Sequence, residues 1–262
     1  MATAGVPGRF YRCACFCSEN LYVARYGLHV RFRDEAQLRR DYGPILRSRG
    51  CVDPKDFEEL LEEALLEELE NFERSDLPKG RPNTMNNYGV LLHELGLDEP
   101  LVTPLRERFL QPLLALLYPE WGGARLDSHR AFVVKYAPGE DRELGCHYDN
   151  AELTLNVALG KTFTGGALYF GGLFQAPSAL ARPLEVEHVV GQGVLHRGGQ
   201  LHGARALGSG ERWNLVVWLR ASTVRNHLCP MCLREPELVE DAGFGDGFTR
   251  EEPDTVDVCA LT

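Results

Sequence analysis

The sequence predicts a mainly β, α+β fold, a barrel or jelly roll of short strands packed against helices that precede it. Two observations carry this. Before residue 128 apolar residues recur at helical spacing. From Ser128 the pattern changes to short β-rich runs separated by glycine pairs such as Gly165-Gly166, Gly171-Gly172 and Gly198-Gly199. Helices first and many closely spaced strands afterwards argue for one layered β unit with helical support, not for alternating β and α elements. A chain of 262 residues is long enough for one good-sized core with an appended region.

In chain order, residues 1–80 form an N-terminal region whose first fifty residues show no sustained period. Asp53-Pro54 then marks a helix cap followed by proline at the first helical position, with Asp56 three residues past the cap. Phe57, Leu60, Leu61, Ala64, Leu65, Leu69 and Phe72 predict an amphipathic helix from Pro54 to about Phe72. The glutamates between them read as a solvated face and not as a docking surface. Residues 75–84, with Pro78, Gly80 and Pro82, mark a boundary. Residues 81–127 read as helical support, with one helix over 88–95 and another from Pro104, capped by Thr103, to Tyr118. Residues 128–222 carry the strands, predicted at 131–136, 153–159, 167–170, 184–190 and 212–220. Residues 223–262 read as a polar tail containing a Cys-x-x-Cys.

Charge and composition exclude some classes. A formal net charge of -10 repels phosphate backbones, and no basic run offsets it, so a nucleic-acid reader is not expected. No segment approaches the roughly 20 apolar residues of a spanning helix, and residues 1–8 lack the pattern of a secretory signal. The eight cysteines then read as reduced thiols or metal ligands, placing the protein inside the cell, in cytoplasm or nucleus and off the membrane. Oligomeric state is not legible.

Chemistry is concentrated in a few positions. In His147-Tyr148-Asp149 the outer two side chains share one face of an extended strand and can reach one metal ion. Imidazole plus carboxylate, completed by a distant histidine, is the ligand set of non-haem Fe(II) oxygenases, which leaves metal positions open. His-x-Asp by itself is a weak signal. His188, His196 and His202 could each supply the third ligand, although an ordinary polar role in a strand or turn is the default for His188 and His196. His202 stands ten residues before Arg212, which opens the run 212–219. Alternation puts Arg212, Asn214 and Val216 on one face, where a guanidinium suits a free carboxylate.

The residues Phe132-Val133-Val134-Lys135-Tyr136, His147-Tyr148-Asp149, Thr154-Leu155-Asn156-Val157-Ala158-Leu159, Thr164-Gly165-Gly166, and His202 with Arg212 occur in a specific order. The stretch 131–219 resembles the prolyl 4-hydroxylase and procollagen-lysyl hydroxylase branch of the 2-oxoglutarate oxygenases. That resemblance implies a double-stranded β-helix, with Fe(II) on His147, Asp149 and His202. It also implies the distal carboxylate of 2-oxoglutarate on Arg212, Tyr136 bonded to the same carboxylate, and L-ascorbate as reductant. Asn214, Asn156 and Thr154 would line the pocket. The implied reaction is hydroxylation of a lysyl or prolyl side chain of a protein substrate inside the cell, with release of succinate and CO2. Collagen-type lysyl hydroxylases carry a secretory signal and large extra domains that this sequence does not show, so collagen is not the expected substrate.

Two further readings stand beside it. Cys229 and Cys232, with His227 before them and Cys13, Cys15 and Cys17 near the start, would suit half of a tetrahedral zinc site. No second pair at regular spacing follows, so thiols without a metal are the simpler reading. The rivals to an oxygenase are a non-catalytic interaction protein that keeps the fold and a cupin-like metalloenzyme with other chemistry. The intact set His147, Asp149, His202 and Arg212 speaks against the first, and a keto-acid requirement separates the second.

Overall fold

The computed structural model describes residues 10–12, 21–32, 35–173, 183–230, 233–238 and 255–257. Cys13, Cys15, Cys17 and Cys232 lie outside them, and with them the zinc reading. Short β1 (Phe10–Arg12) pairs in parallel with β15 (Thr255–Asp257). The hairpin of β2 (Leu21–Val23) and β3 (Leu28–Val30) precedes helices α1 (Glu35–Ser48) and α2 (Pro54–Arg74). The expected start of α2 is present: the Asp56 carboxylate accepts from the backbone N–H groups of Val52 and Asp53, each at 2.8 Å. These hydrogen bonds hold the Asp56 carboxyl below its ordinary pKa.

Two antiparallel sheets form the bulk of the molecule. The larger has the order β11-β7-β14-β5-β4, built from β4 (Gly89–Leu91), β5 (Ser128–Tyr136), β7 (Leu153–Gly160), β11 (Gly193–Arg197) and β14 (Arg212–Arg220). The smaller has the order β10-β9-β12-β6, from β6 (Leu144–His147), β9 (Leu168–Leu173), β10 (Leu184–Val186) and β12 (Gln200–Ala204). A third pair joins β8 (Phe163–Gly165) to β13 (Leu207–Gly210). From β5 to β7 the chain crosses from the larger sheet to the smaller and back, and it crosses again from β11 through β12 to β14.

Alternation along β14 divides the interior. Trp213, Leu215, Val217 and Leu219 enter a core with Leu69 and Phe72 of α2 and Leu114 of α3 (Gln111–Leu117). Val216, on the opposite face, packs with Phe132, Val134 and Tyr136 of β5. The hairpin, α1 and the first half of α2 close a separate cluster around Val23, Leu38, Leu46, Phe57 and Leu60. Among the described residues no helix is long and apolar enough to cross a membrane.

Some expectations are corrected. The helix expected over 88–95 is β4 followed by a single tight turn over Leu92–Leu95. Gly89, at φ +137°, pairs with Val134, and a Cβ there would sit 2.0 Å from the Val133 carbonyl oxygen, so the sheet edge claims this segment. Thr103 does not cap a helix, since helical turns already start at Asp98 and Thr103 lies within them. The strand expected over 184–190 ends at Val186. The stretch after 222 opens as α4 (Ser222–Arg225), and Arg225 is buried, not part of a polar tail.

Arg225 closes a buried ion pair. Its Nε lies 3.2 Å from Glu152 Oε1, both side chains being at most 1% exposed, and Glu152 Oε2 accepts from the Ala221 N–H at 2.7 Å. Burial raises the Glu152 pKa although Arg225 pulls it back. Desolvation and attraction nearly offset in such pairs, so the intact pair adds little net stability, whereas removing one partner strands a charge. Arg225→Ala is therefore expected to cost about 3–5 kcal/mol in urea unfolding, and adding Glu152→Met should recover much of it. A loss under about 1 kcal/mol would contradict this reading of the pair.

Candidate metal centre

Strand register brings the predicted ligands together. His147 ends β6 and pairs directly with His202 of β12, so the two imidazoles face each other with ring centroids 4.2 Å apart. Asp149 follows β6, its backbone N–H bonded to the Gly198 carbonyl at 2.9 Å. Its Oδ1 lies 3.5 Å from His147 Nε2, and its Oδ2 lies 3.5 Å from His202 Nε2. The three residues each offer a ligand atom within 4.8 Å of the others.

The donor set suits a metal. His147 Nδ1 lies 2.9 Å from the Gly145 carbonyl, and His202 Nδ1 lies 2.8 Å from that of Gln200. Carbonyls only accept, so both Nδ1 atoms carry the proton and the Nε2 lone pairs face Asp149. Burial, chiefly, pushes His202 down to about 4, so its ring is neutral. Burial opposes ionisation of Asp149, but His147, His202 and His196 together bring it down to about 2. Asp149 raises the pKa of His147 against its burial. An ionised carboxylate beside a neutral imidazole is the state a cation requires.

The other predicted residues divide into two groups. Arg212, Tyr136, Asn156 and Asn214 line the same cavity as the triad, between the two sheets. Arg212 is 1% exposed, its guanidinium 4.3 Å from the Tyr136 ring centroid, and it donates to the Gly166 carbonyl. Among the described residues no carboxylate lies within 4.0 Å of it. A Cβ on Gly166, whose φ is +71°, would sit 2.8 Å from the guanidinium, so this glycine makes room for Arg212. In the sequence Gly166 reads as strand punctuation and as part of Thr164-Gly165-Gly166, with no signal of its place beside Arg212. Thr154, by contrast, donates to Asp149 Oδ2 at 2.7 Å and stands behind the carboxylate.

Two histidines expected to be ordinary strand or turn residues lie close by. His196 Nε2 is buried, without a hydrogen-bond partner among the described residues, 3.9 Å from Asp149 Oδ2. His188 Nδ1 lies 2.9 Å from Asn214 Nδ2, which also donates to Asn156 Oδ1 at 2.7 Å. In the sequence, the ten-residue step to Arg212 is what separates His202 from these two. In the structure, the pairing of β12 with β6 does so, by setting His202 opposite His147.

Comparison with known proteins identifies relatives of the chain. The chain is 64% identical to the 2-oxoglutarate and iron-dependent oxygenase domain-containing protein 2 of Homo sapiens, over the whole of each chain. It is 44% identical to the protein of that name in Danio rerio, over 93% of this chain and 95% of that one. Residues 49–123 match the OGFOD2-like domain. Human procollagen-lysine,2-oxoglutarate 5-dioxygenase 1 is 28% identical over 44% of this chain and 16% of its own length. A prolyl-4-hydroxylase of Pseudomonas putida superposes with a TM-score of 0.44 at 21% identity, over 62% of this chain and 86% of that one. The molecule is an iron- and 2-oxoglutarate-dependent dioxygenase, an oxidoreductase. Within that class it belongs to the family of the 2-oxoglutarate and iron-dependent oxygenase domain-containing protein 2.

The His188 environment has a measurable consequence. Burial, and next the charge of Arg212, lower His188 from an ordinary 6.5 to about 4. Between those values the unfolded chain takes up a proton that the folded chain does not, so stability falls as pH falls through the window and levels off below it. His188→Asn, which keeps an acceptor for Asn214, is expected to lower proton uptake on unfolding of the metal-free protein by about one in that window. Denaturant melts across the window measure it. An unchanged pH slope would show that His188 is not buried in its neutral form.

Proposed function

We propose that the protein hydroxylates a lysyl or prolyl side chain of a protein substrate, with iron held by His147, Asp149 and His202 and 2-oxoglutarate anchored on Arg212. Arg212 carries this reading: a guanidinium 1% exposed, with no carboxylate beside it among the described residues, shares a cavity with the triad. Burying an uncompensated charge is costly, and the dicarboxylate co-substrate supplies the missing anion. The alternation of the chain between its two antiparallel sheets supports a double-stranded β-helix around that cavity.

Bound iron with 2-oxoglutarate supplies dioxygen activation coupled to decarboxylation, yielding succinate and CO2. The chain's own residues bind and orient. Thr154 holds one oxygen of Asp149, and the Gly145 and Gln200 carbonyls fix the two imidazoles. Asn214 and Asn156 hold each other at the cavity wall, and Tyr136 flanks the guanidinium. Ascorbate completes the reaction mixture as the reductant that restores Fe(II).

Succinate release by purified protein given Fe(II), 2-oxoglutarate and ascorbate tests the reading directly. Anaerobic protein with Fe(II) and 2-oxoglutarate is expected to show a weak visible charge-transfer band that Asp149→Ala abolishes. His202→Ala should lose iron-dependent turnover while His196→Ala retains most of it. The reverse pattern would move the third ligand to His196.

A buried charge-assisted bidentate contact is worth about 2–3 kcal/mol, so Arg212→Ala should raise the 2-oxoglutarate requirement roughly 30- to 150-fold and spare metal binding. Arg212→Lys should recover only part of this, because an ammonium lacks the fork geometry. Half-saturation by 2-oxoglutarate unchanged in Arg212→Ala would remove Arg212 from the pocket's chemistry.

A further inference from the structure

The loop over residues 81–87 lies within the segment that matches the OGFOD2-like domain, ahead of the strands that carry the triad. It is tied into a fixed shape. Asn83 Oδ1 accepts from the backbone N–H groups of Met85 at 2.8 Å and Asn86 at 2.7 Å, while Asn83 Nδ2 donates to Asn86 Oδ1 at 2.9 Å. Arg81 Nη2 donates to Asn87 Oδ1 at 2.6 Å, and the Asn87 N–H and Nδ2 reach the two carboxylate oxygens of Asp141 at 2.6 and 2.8 Å. Asn86, 1% exposed, donates from Nδ2 to the Tyr136 hydroxyl at 3.3 Å. Asn83 and Asn86 both line the cavity shared by Tyr136, Arg212 and the triad.

A phenol has one O–H to give and two lone pairs to receive with. Burial raises the Tyr136 pKa, so the hydroxyl keeps its proton. The Asn86 amide donates to one lone pair of the hydroxyl and the Arg212 guanidinium, which lies against the ring, also donates to it; among the described residues no protein acceptor takes the O–H. The geometry points to Asn86 as a positioning residue: held by Asn83, it turns the Tyr136 O–H into the cavity to donate to the carboxylate that Arg212 binds. This rests on Arg212 as the 2-oxoglutarate anchor, and it makes the N-terminal segment part of the co-substrate site. The donors run in one direction, from Asn83 to Asn86 to Tyr136 to the ligand, so each bond polarises the next.

The test is calorimetric titration of the full chain, loaded with Mn(II), with N-oxalylglycine, a 2-oxoglutarate analogue that is not turned over. Tyr136→Phe and Asn86→Ala should each weaken binding by about five- to tenfold, the equivalent of one hydrogen bond of ordinary strength. The double variant should bind within about twofold of Tyr136→Phe alone, because Asn86 acts only through the hydroxyl. Asn86→Asp, which replaces the amide donor by an acceptor that captures the phenol proton, should weaken binding more than Asn86→Ala. Mn(II) affinity should be unchanged throughout. Losses that multiply in the double variant, or wild-type affinity in Asn86→Ala, would overturn the proposal. If Asn86→Ala does not fold, Asn83→Ala takes its place, with the same dependence on the hydroxyl expected. Arg212→Ala is run alongside: if it binds the analogue normally, the anchor reading itself fails, whereas a large loss there with none at Asn86 removes only the relay.

Discussion

The pairing of β14 with its two neighbours is the constraint on which the rest depends. Nine residues run in register against β5, and most of the same residues pair with β7 on the other side. Because side chains alternate, this register sends Trp213, Leu215, Val217 and Leu219 to the helices and Arg212, Asn214 and Val216 to the cavity. A slip of one residue would bury the guanidinium among helix side chains and turn the core tryptophan toward the cavity. Polar chemistry and core packing are thus fixed by the same set of backbone hydrogen bonds.

Charge is distributed to the same end. The chain carries a formal net charge of -10, yet the cavity wall holds a guanidinium, Arg212, that pairs with no carboxylate among the described residues. Among the described residues, surface carboxylates such as Glu59 are half exposed, and their partners Arg25 and Lys55 are solvated and contribute little. Inside, His188 and His202 are driven toward the neutral form, which leaves Arg212 as the principal positive charge facing the cavity. An acidic surface and an anion-seeking cavity coexist because water and salt screen the exposed carboxylates, while the buried guanidinium acts at short range in a low-dielectric wall.

Much of this was legible in the sequence, for physical reasons that differ by element. The run 212–220 is apolar, β-branched and aromatic, and its predicted ends coincide with those of β14. The amphipathic period of α2 and its Asp53-Pro54 start were equally plain, and the helix runs to Arg74. Short strands such as β6 and β12, with glycines and histidines, hold too few apolar residues to show a period, and they became strands only by pairing with each other and with β9. Residues 88–95 have helical spacing, but three of them extend a sheet whose edge lies far along the chain. Asn86 was missed because an asparagine in a loop carries no pattern, and its partner Tyr136 is fifty positions away.

Helix α2 belongs to two bodies at once. Its 21 residues span about 32 Å at the usual rise of an α-helix. Phe57, Leu60 and Ala64 near its start serve the hairpin cluster, and Leu69 and Phe72 near its end serve the sheet core. Near that end, Lys135 reaches Glu73 and Lys161 reaches Glu70, so the helix is bolted to the β unit by its last two turns. Among the described residues, the hairpin and α1 close their own small core against the first half of α2, and no sheet residue of the β unit enters that cluster. Loss of order there can stop at the middle of α2, as a local opening that leaves the catalytic sheets closed. In hydrogen exchange the helix would then report two protection levels along one continuous element, with the step between Ala64 and Leu69.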